Sequence, residues 1–360
     1  MINTSNPGEN LCGLKKADFQ KVIDGKQTDL FILKNESGAE VAITNYGGAV
    51  VAIMVPDKNG NYANVIQGHD TIDKVINSPE PFLSTLIGRY GNRIAKGKFL
   101  LDGKEYQLAV NNGPNHLHGG PTGYHARVWE AEQTDSQTLK LHYLSADGEE
   151  GFPGNLDLNV TYSFTNDNEL KIDYSATTDK KTLVNLTHHA FFSLSGLATP
   201  TASVENNIVT INADWYTPVD ETCIPLGEIA PVEGTPMDFR VKKAMGRDIH
   251  GDYEALVLGG GGYDHNWCLN NNGIFAKVAE MSSDLSGITM EVYTDLPGVH
   301  IYSGNYLREE LGKQGIVYKR YQAMCFETQY YPDAINQENF QSPIVKKSEE
   351  YRTRTVYKFV

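Results

Sequence analysis

Cysteine is scarce in this chain of 360 residues, and the patterns that would give it a structural role are missing. The four cysteines are far apart and include no CxxC pair, so the sequence indicates neither a disulfide framework nor a cysteine-bound metal. They stand at positions Cys12, Cys223, Cys268 and Cys325. We expect buried thiols, with Cys12, in a polar tail, as the candidate for exposure.

Positive charge and long apolar runs are lacking as well. The chain has 31 Lys and Arg against 45 Asp and Glu, a formal net charge of −14 at pH 7. Nucleic acids and anionic membranes are bound through basic patches, so this balance disfavours both as partners. It also weighs mildly against a substrate that is recognised by a phosphate group. No apolar run approaches the length of a membrane span.

The first ten residues are polar and lack the apolar centre of a signal peptide. We therefore expect a cytoplasmic protein. A chain whose export signal had been trimmed would have the same sequence, so a periplasmic or exported location stays open.

Helical patterns are few, and alternation of apolar and polar residues dominates. It is clearest over 156–164 and 170–176, which read as a meander with one solvated face. Short helical turns are expected at 79–87 and 245–250. Further strands are predicted at 28–33, 40–45, 49–55, 99–101, 106–109, 139–143, 204–212, 276–281, 289–294, 299–303 and 357–360.

The predicted architecture is all-β, a large antiparallel β-sandwich with few short helices. At 40% hydrophobic the chain can bury a large core. Length alone suggests about two domains, but large all-β domains often exceed that limit. No repeat or low-complexity linker divides the sequence. We expect an irregular leader over 1–16 and one domain over 17–360.

The stretch 323–333 reads as a strand that carries a carboxylate among apolar neighbours. Side chains alternate along a strand, so Glu327 shares a face with Cys325, and Phe326 lies on the other. A carboxylate in such surroundings is rarely buried without a partner. A solvated rim and a ligand-binding hollow are equally good readings of this stretch alone. The rings of Tyr330 and Tyr331 could form a wall beside it.

Other polar clusters offer donors and acceptors. Residues 88–94 place Arg89 and Arg93 in a glycine-rich turn, and the planar guanidinium fork suits vicinal hydroxyls or carboxylates. A solvated loop with surface arginines is the simpler reading of that motif. His116 and His118 share a face if their segment is extended, which can suit a metal, but no third ligand follows at motif spacing. We therefore expect no metal.

Adjacent histidines at 188 and 189 lie on opposite faces of a strand, so one at most faces a pocket. A lone strand histidine is more often structural than catalytic. Asp264 follows a run of glycines and enters a strand, where it is either a carboxylate at a site rim or a turn residue bonded to nearby amides. Together the set lacks a nucleophile-elbow serine and a phosphate-binding loop. Arginines, carboxylates and aromatic rings suit a neutral sugar, and a Glu with a His can move protons in opposite directions.

The ordered motifs resemble the aldose 1-epimerase (galactose mutarotase) family from about residue 30 to the end. They are GRYGNRI at 88–94, LHGG at 117–120, DGEEGFPG at 147–154, NLTHH at 185–189, PVDET at 218–222, YDHN at 263–266, and ETQ at 327–329 with PD at 332–333. Seven matches in the family's order are far more specific than any one. The resemblance implies a large β-sandwich, no cofactor, and interconversion of the α and β anomers of free aldoses such as D-glucose and D-galactose in hexose and galactose metabolism.

The resemblance also implies residue roles. Glu327 matches the family's general base and His189 its general acid, and we expect an ionised Glu327 beside a charged His189, favoured by their attraction. The sugar-binding positions match Asn92, Arg93, His118, Asp264, His300 and Phe191. Two of these depart from the family, which often has Gln at 300 and Tyr at 191, so sugar preference and pH optimum are open. A monomer or homodimer is expected.

Three rivals remain. A hexose-6-phosphate mutarotase relative would need a basic phosphate clamp, which the net acidity disfavours. A non-catalytic carbohydrate-binding homologue would be expected to lose the pair of Glu327 and His189, and both are present. A glycoside hydrolase would use two carboxylates across the scissile bond. Asp264 with Glu327 could imitate that arrangement, but His189 would then have no role.

Overall fold

Strands make up most of the computed structural model, which describes residues 10–360. The largest sheet has nine antiparallel strands. Their spatial order is Glu130–Gln133, Thr138–Ser145, Leu156–Phe164, Glu169–Thr178, Glu350–Phe359, Thr289–Thr294, Ala276–Ser282, Ile208–Ile211 and Lys243–Ala244. The predicted meander lies at its centre, and buried and exposed side chains alternate along Leu156–Phe164.

Two smaller sheets complete the main architecture. A five-stranded antiparallel sheet has the spatial order Ala230–Pro231, Trp215–Thr217, Asp264–Cys268, Gly298–Tyr302 and Cys325–Gln329. A four-stranded sheet has the order Leu30–Lys34, Glu40–Thr44, Val50–Pro56 and Tyr62–Asn64.

The remaining strands form two-stranded pairs that fasten the connecting loops. These are Val22–Ile23 with Lys26–Gln27, Leu86–Ile87 with Thr187–His188, Arg93–Ile94 with His116–Leu117, Lys98–Leu101 with Lys104–Gln107, Thr182–Leu183 with Ile344–Val345, and Glu310–Leu311 with Val317–Tyr318. The described α-helices are Ile72–Ile76 and Glu254–Leu258. Single 3-10 turns occupy Lys16–Phe19, Ala95–Gly97, Tyr124–Ala126, Glu149–Gly151, Val204–Asn206, Met245–Arg247, Lys313–Gly315 and Ala334–Asn336. Over residues 10–360, no helix is both long and apolar enough to cross a membrane.

The nine-stranded and five-stranded sheets pack against each other through their apolar faces. Phe326 of the smaller sheet shares one continuous core with Tyr357 of the larger, and the Tyr357 hydroxyl donates to the main-chain carbonyl of Phe326 at 2.7 Å. The threonine hydroxyls of Thr328 and Thr355 are also hydrogen bonded across this interface. The expected all-β sandwich is confirmed.

The helix predicted over 79–87 is wrong. That segment is a turn followed by the short strand Leu86–Ile87, and the helix lies just before it, at Ile72–Ile76. Two prolines, Pro79 and Pro81, remove main-chain donors from the segment, and Ser84 has a positive φ of 55°, so a helix cannot continue there.

Two other boundaries and one exposure differ from expectation. The strand predicted at 204–212 begins as a 3-10 turn and is extended only over Ile208–Ile211, and the last strand is longer than predicted. Cys12 is buried at 3% exposure, because Leu11 donates its N–H to Glu40 at 2.6 Å and draws the segment onto the four-stranded sheet. Residues 1–9 of the predicted leader lie outside the described part of the chain. The division into a leader and one domain stays a prediction.

Arg89 is a structural residue. Its side chain is buried, and Nη1 donates to the carbonyls of Pro153 and Gly154, each at 2.8 Å. Nη2 donates to the Ser145 hydroxyl at 2.6 Å. The guanidinium group thus fastens the connection between Thr138–Ser145 and Leu156–Phe164 rather than facing a ligand.

We predict that Arg89→Met lowers the free energy of unfolding by about 3 kcal/mol or more, since it leaves several buried carbonyls without donors. Urea denaturation followed by circular dichroism measures this change. Arg352→Met, at a side chain 72% exposed, serves as the control and should be nearly neutral. Equal stability of the two variants would contradict the structural role of Arg89.

Candidate active site

A polar face of the five-stranded sheet forms the floor of the candidate site. His300 pairs directly with Asn266 on one neighbouring strand and with Glu327 on the other, so their side chains share a face. Tyr302 is paired in the same way with Asp264 and Cys325. The intervening residues point into the core on the opposite face. Strand alternation therefore places the polar side chains on one face of the sheet and the core residues on the other. The faces expected for Cys325, Phe326 and Glu327 are confirmed.

A cavity of about 490 Å³ opens over this face. It brings together seven of the eight predicted site residues from distant parts of the chain: Asn92, Arg93, His118, His189, Asp264, His300 and Glu327. All seven are buried to more than nine-tenths. The site is thus a partly open cavity lined by buried polar residues, and Glu327 lies in this hollow and not at a solvated rim.

Glu327 and His189 meet inside this cavity. Glu327 Oε1 lies 3.5 Å from His189 Nε2. The other ring nitrogen, Nδ1, lies 3.4 Å from the thiol of Cys325. Burial raises the pKa of that thiol well above its usual value, so the thiol keeps its proton. This contact directs Nε2 at the carboxylate, and Glu327 Oε2 has no hydrogen-bond partner among the described residues.

The empty cavity favours the neutral forms of both groups. Burial raises the pKa of Glu327 well above its usual value, and the carboxylate of Asp264 adds to the effect. Burial lowers the pKa of His189 to about 3. The expected charged pair is therefore not the resting state, because the loss of solvation outweighs the attraction between the two groups. Moving one proton from the carboxyl to the imidazole converts the neutral pair into the charged one.

His118 is positioned by the glycine-rich turn. Its Nδ1 accepts the main-chain N–H of Asn92 at 3.0 Å, so the neutral ring carries its proton on Nε2 and presents a donor to the cavity. The turn can approach this closely because Gly119 has no side chain: a Cβ there would lie 1.9 Å from the carbonyl oxygen of Gly88. Burial lowers the pKa of His118, which keeps the ring neutral.

Arg93, Asp264 and His300 form a buried charged group at another part of the cavity. Arg93 Nη2 donates to Asp264 Oδ2 at 3.2 Å, and His300 Nε2 lies 2.7 Å from Asp264 Oδ1. Arg93 is oriented by the side chain of Asn112, which accepts from Nε at 3.1 Å. Burial alone would raise the pKa of Asp264, but Arg93 and His300 outweigh it and hold that pKa well below its usual range.

Phe191 lies behind the cavity and does not line it. Its fully buried ring stacks on the His189 imidazole with centroids 4.9 Å apart. The aromatic wall proposed for Tyr330 and Tyr331 is also absent from this cavity: Tyr330 packs against the main core, and Tyr331 borders a separate depression.

The rings that do border the cavity are Phe82, Tyr302 and Tyr306. Tyr302 stands two residues after His300 on the same strand, so alternation along the sequence could have placed it on the cavity face. The helical turns expected over 79–87 gave no indication that Phe82 faces the cavity. Tyr306 stands in a loop, where there is no periodic pattern to predict its orientation.

In each of the two histidine pairs, one ring faces the cavity and the other does not. His116 donates its Nδ1–H to the Ala109 carbonyl, 2.8 Å away, whereas His118 faces the cavity. The two rings do not share a face, because His118 has a positive φ of 52° and the segment is not extended there. His188 packs its ring edge-on against Tyr162, so His189 alone of that pair reaches the cavity, as predicted.

His118, His189 and Glu327 could be mistaken for a metal site, since one potential ligand atom of each lies within 4.8 Å of the others. A metal needs a lone pair on each imidazole nitrogen that faces it. The main-chain N–H of Asn92 occupies the Nδ1 lone pair of His118, so this ring turns an Nε2–H donor, not a lone pair, to the cavity. Donors beside a carboxylate suit the oxygens of a sugar better than a cation.

Comparisons with known proteins agree on the family. The model of the family described as "Aldose 1-epimerase" matches residues 29–358. The human protein named galactose mutarotase is 41% identical over 320 residues, which cover 89% of this chain and 90% of that protein. The Escherichia coli K12 protein named aldose 1-epimerase is 33% identical and covers 94% of this chain and 96% of its own. The crystal structure of an aldose epimerase homologue from C. elegans superposes with a TM-score of 0.83 at 28% identity, covering 92% of this chain and 99% of that one.

We predict that heteronuclear NMR of a histidine-labelled sample at neutral pH shows His118 as the Nε2–H tautomer, and that an equimolar amount of zinc leaves its signals unchanged. The main-chain donor at Nδ1 is the physical reason. His142 is the control, because its ring is partly exposed to solvent and lies beside two carboxylates. A stoichiometric zinc-dependent shift of His118 would contradict the assignment of donors to the cavity.

Proposed function

The chain belongs to the aldose 1-epimerase family, and on that premise we propose how its own residues interconvert the α and β anomers of free aldoses such as D-glucose and D-galactose. The observation that carries the proposal is the contact between Glu327 and His189 inside one cavity, 3.5 Å apart and buried. A base and an acid that share a single proton are what opening and closing a sugar ring requires.

Mutarotation proceeds by balanced proton transfers. Glu327 removes the proton of the anomeric O1 hydroxyl while His189 delivers one to the ring oxygen O5, so the C1–O5 bond breaks as the C1=O1 double bond forms. Rotation about C1–C2 presents the other carbonyl face, and closure reverses both transfers. Each positioned acid or base contributes about 10²–10⁴-fold to such a step.

The neutral resting pair reaches its reactive form when a sugar binds. A hydroxyl that donates to Glu327 Oε2 supplies the partner that this atom lacks among the described residues and stabilises the carboxylate. The carboxyl proton then moves to His189 Nε2. Cys325 at Nδ1 holds the ring in position throughout.

The remaining cavity residues bind and orient the substrate in this proposal. His118 donates through Nε2–H to a sugar oxygen. Arg93 and Asp264 offer paired donors and acceptors for neighbouring hydroxyls, and Asn92 supports His118 from the turn. His300 acts through Asp264, whose orientation it holds. Phe191 acts indirectly, by stacking behind His189.

An unphosphorylated sugar fits the charges of the cavity. Among the described residues, Arg93 is the one lysine or arginine on its wall, and Asp264 already pairs with it. The wall also carries the acidic residues Glu80, Glu221 and Glu327. This excess of carboxylates would repel a phosphate group, which disfavours the hexose-6-phosphate alternative.

We further propose a cytoplasmic location and a monomer or homodimer. The four cysteines are all free and buried, which suits a reducing compartment.

We predict that Glu327→Gln lowers kcat by about 10²–10⁴-fold and changes KM little, since the amide keeps its shape but cannot take a proton. Polarimetry of freshly dissolved α-D-galactose measures the loss. Glu309→Gln, at an exposed side chain outside the cavity, is the matched control. EDTA should leave the wild-type rate unchanged. A Glu327→Gln variant that equilibrates galactose as fast as the control would reject the general base.

We predict that D-glucose is equilibrated at least 10-fold more efficiently than D-glucose 6-phosphate, judged by kcat/KM. The reason is the acidic wall described above. The same polarimetric assay serves both sugars. Higher efficiency with the phosphorylated sugar would instead favour the hexose-6-phosphate mutarotase reading.

A further inference from the structure

The turn that contains Glu80 and Phe82 lines the same cavity as the strand face. The Phe82 ring meets the His118 ring edge-on, with centroids 4.7 Å apart, and faces the His189 ring at 6.2 Å. Glu80 borders the same cavity two residues earlier. A substrate in this cavity can therefore contact the turn as well as the strand face.

Ser78 fastens the turn to a neighbouring loop. Its hydroxyl accepts the N–H of Glu80 at 3.1 Å and lies 2.9 Å from both the Glu80 carbonyl and the carboxylate of Glu310. Glu310 Oε1 in turn lies 3.0 Å from His69 Nε2. The main chain of Glu80 is thus held from behind, which presents its side chain to the cavity.

The carboxyl group of Glu80 has little to bind in the empty protein. Its one hydrogen bond is a long contact, 3.4 Å, from the main-chain N–H of Phe82 to Oε1. No lysine, arginine or histidine of residues 10–360 forms an ion pair with it. Glu80 is partly exposed at the cavity, so its carboxyl group is accessible to a further donor that arrives with a ligand.

We propose that Glu80 contacts the substrate directly, its carboxyl group accepting a hydrogen bond from a hydroxyl of the aldose and so helping to decide which aldose is bound. This inference rests on the proposed function, because it concerns the same cavity and the same ligand. Glu80 takes no part in the proton transfers, which belong to Glu327 and His189.

The groups around Glu80 are mostly acidic or neutral. Glu310 faces it from the adjoining loop with His69 behind, and the floor contributes Tyr302, Cys325 and Glu327. Burial raises the pKa of Glu80 to about 7, and Glu310 adds to the effect. Near neutral pH the group therefore changes between a carboxylic acid and a carboxylate, and the carboxylate is the stronger acceptor for a hydroxyl.

The same shift has a consequence for stability. The pKa of Glu80 is higher in the folded protein than the 4.5 of a free carboxyl, so the folded state binds more protons between these values. The stability contributed by protonated Glu80 is complete below about 4.5 and is lost as the pH rises through about 7. Glu80→Gln removes this dependence, and its melting temperature should rise relative to wild type as the pH increases across that window.

The test compares Glu80→Gln with two matched variants in galactose mutarotation. Since a hydrogen bond to a charged group is worth about 10-fold or more in affinity, Glu80→Gln should raise KM for D-galactose about 10-fold while kcat changes about twofold at most. The rise should be larger above pH 7 than below it. Glu310→Gln loosens the anchor but keeps the Glu80 carboxyl, and Glu309→Gln alters an exposed charge on the same loop. Glu309→Gln should keep KM within about twofold. Glu310→Gln should raise KM by less than Glu80→Gln does, because the carboxyl group that makes the contact is still present.

Monodeoxy galactoses identify the hydroxyl. The one that lacks the bound hydroxyl should show the same KM with wild type and Glu80→Gln, whereas the others should keep the difference. An unchanged KM in Glu80→Gln, or an equal rise in Glu310→Gln, would overturn direct contact. Should Glu80→Gln fail to fold, Glu80→Asp withdraws the carboxyl by one methylene and must show the same rise in KM.

Failure of the proposed function is separable from failure of this inference. If the wild-type protein does not equilibrate any aldose, the enzymatic proposal fails, and calorimetric titration with D-galactose then tests Glu80 alone. Weaker binding by Glu80→Gln than by Glu310→Gln would support the contact even in that case, and equal binding would reject it.

Discussion

The contact between a buried carboxylate and a buried imidazole is the constraint on which the rest of this structure depends. Neither Glu327 nor His189 is well solvated, and each is pushed towards its neutral form by burial. Such a pair is costly to hold in a protein interior unless the surroundings orient it. The thiol of Cys325 orients the imidazole, and the strand geometry orients the carboxylate. The pair stays one proton transfer away from its reactive form.

In this fold the two faces of one sheet have different roles: one packs into the core, and the other faces the cavity. Along Cys325–Gln329, Phe326 packs into the sandwich core while Glu327 faces the cavity. Loops line the cavity over the polar face. Arg89 fastens a neighbouring loop through the carbonyls of Pro153 and Gly154, and Gly119 permits the close approach of the turn that supports His118. The motif GRYGNRI therefore has two roles: Arg89 stabilises the fold, and Arg93 lines the cavity.

The acidic groups that line the cavity also bear on which ligands it favours. Carboxylates and donor histidines outnumber cations on the wall, so hydroxyl groups are better ligands than phosphates. The tautomer of His118 follows from the main-chain N–H of Asn92, and the thiol of Cys325 lies against the ring of His189. Potential ligand atoms of His118, His189 and Glu327 lie within 4.8 Å of one another, but His118 presents an N–H donor, which suits a sugar oxygen and not a cation.

Alternation along the sequence was enough to predict the β-sandwich, the opposite faces of Phe326 and Glu327, and the divergence of His188 from His189, because strand periodicity is a local property. The ordered motifs identified the family and seven residues that the cavity brings together. The sequence did not reveal the turn that carries Glu80 and Phe82, since its apolar spacing imitates a helix that two prolines prevent. Nor did it show that Phe191 lies behind His189, or that burial neutralises the catalytic pair. Those features depend on which segments are packed against one another and how far water is excluded, and only the tertiary structure decides that.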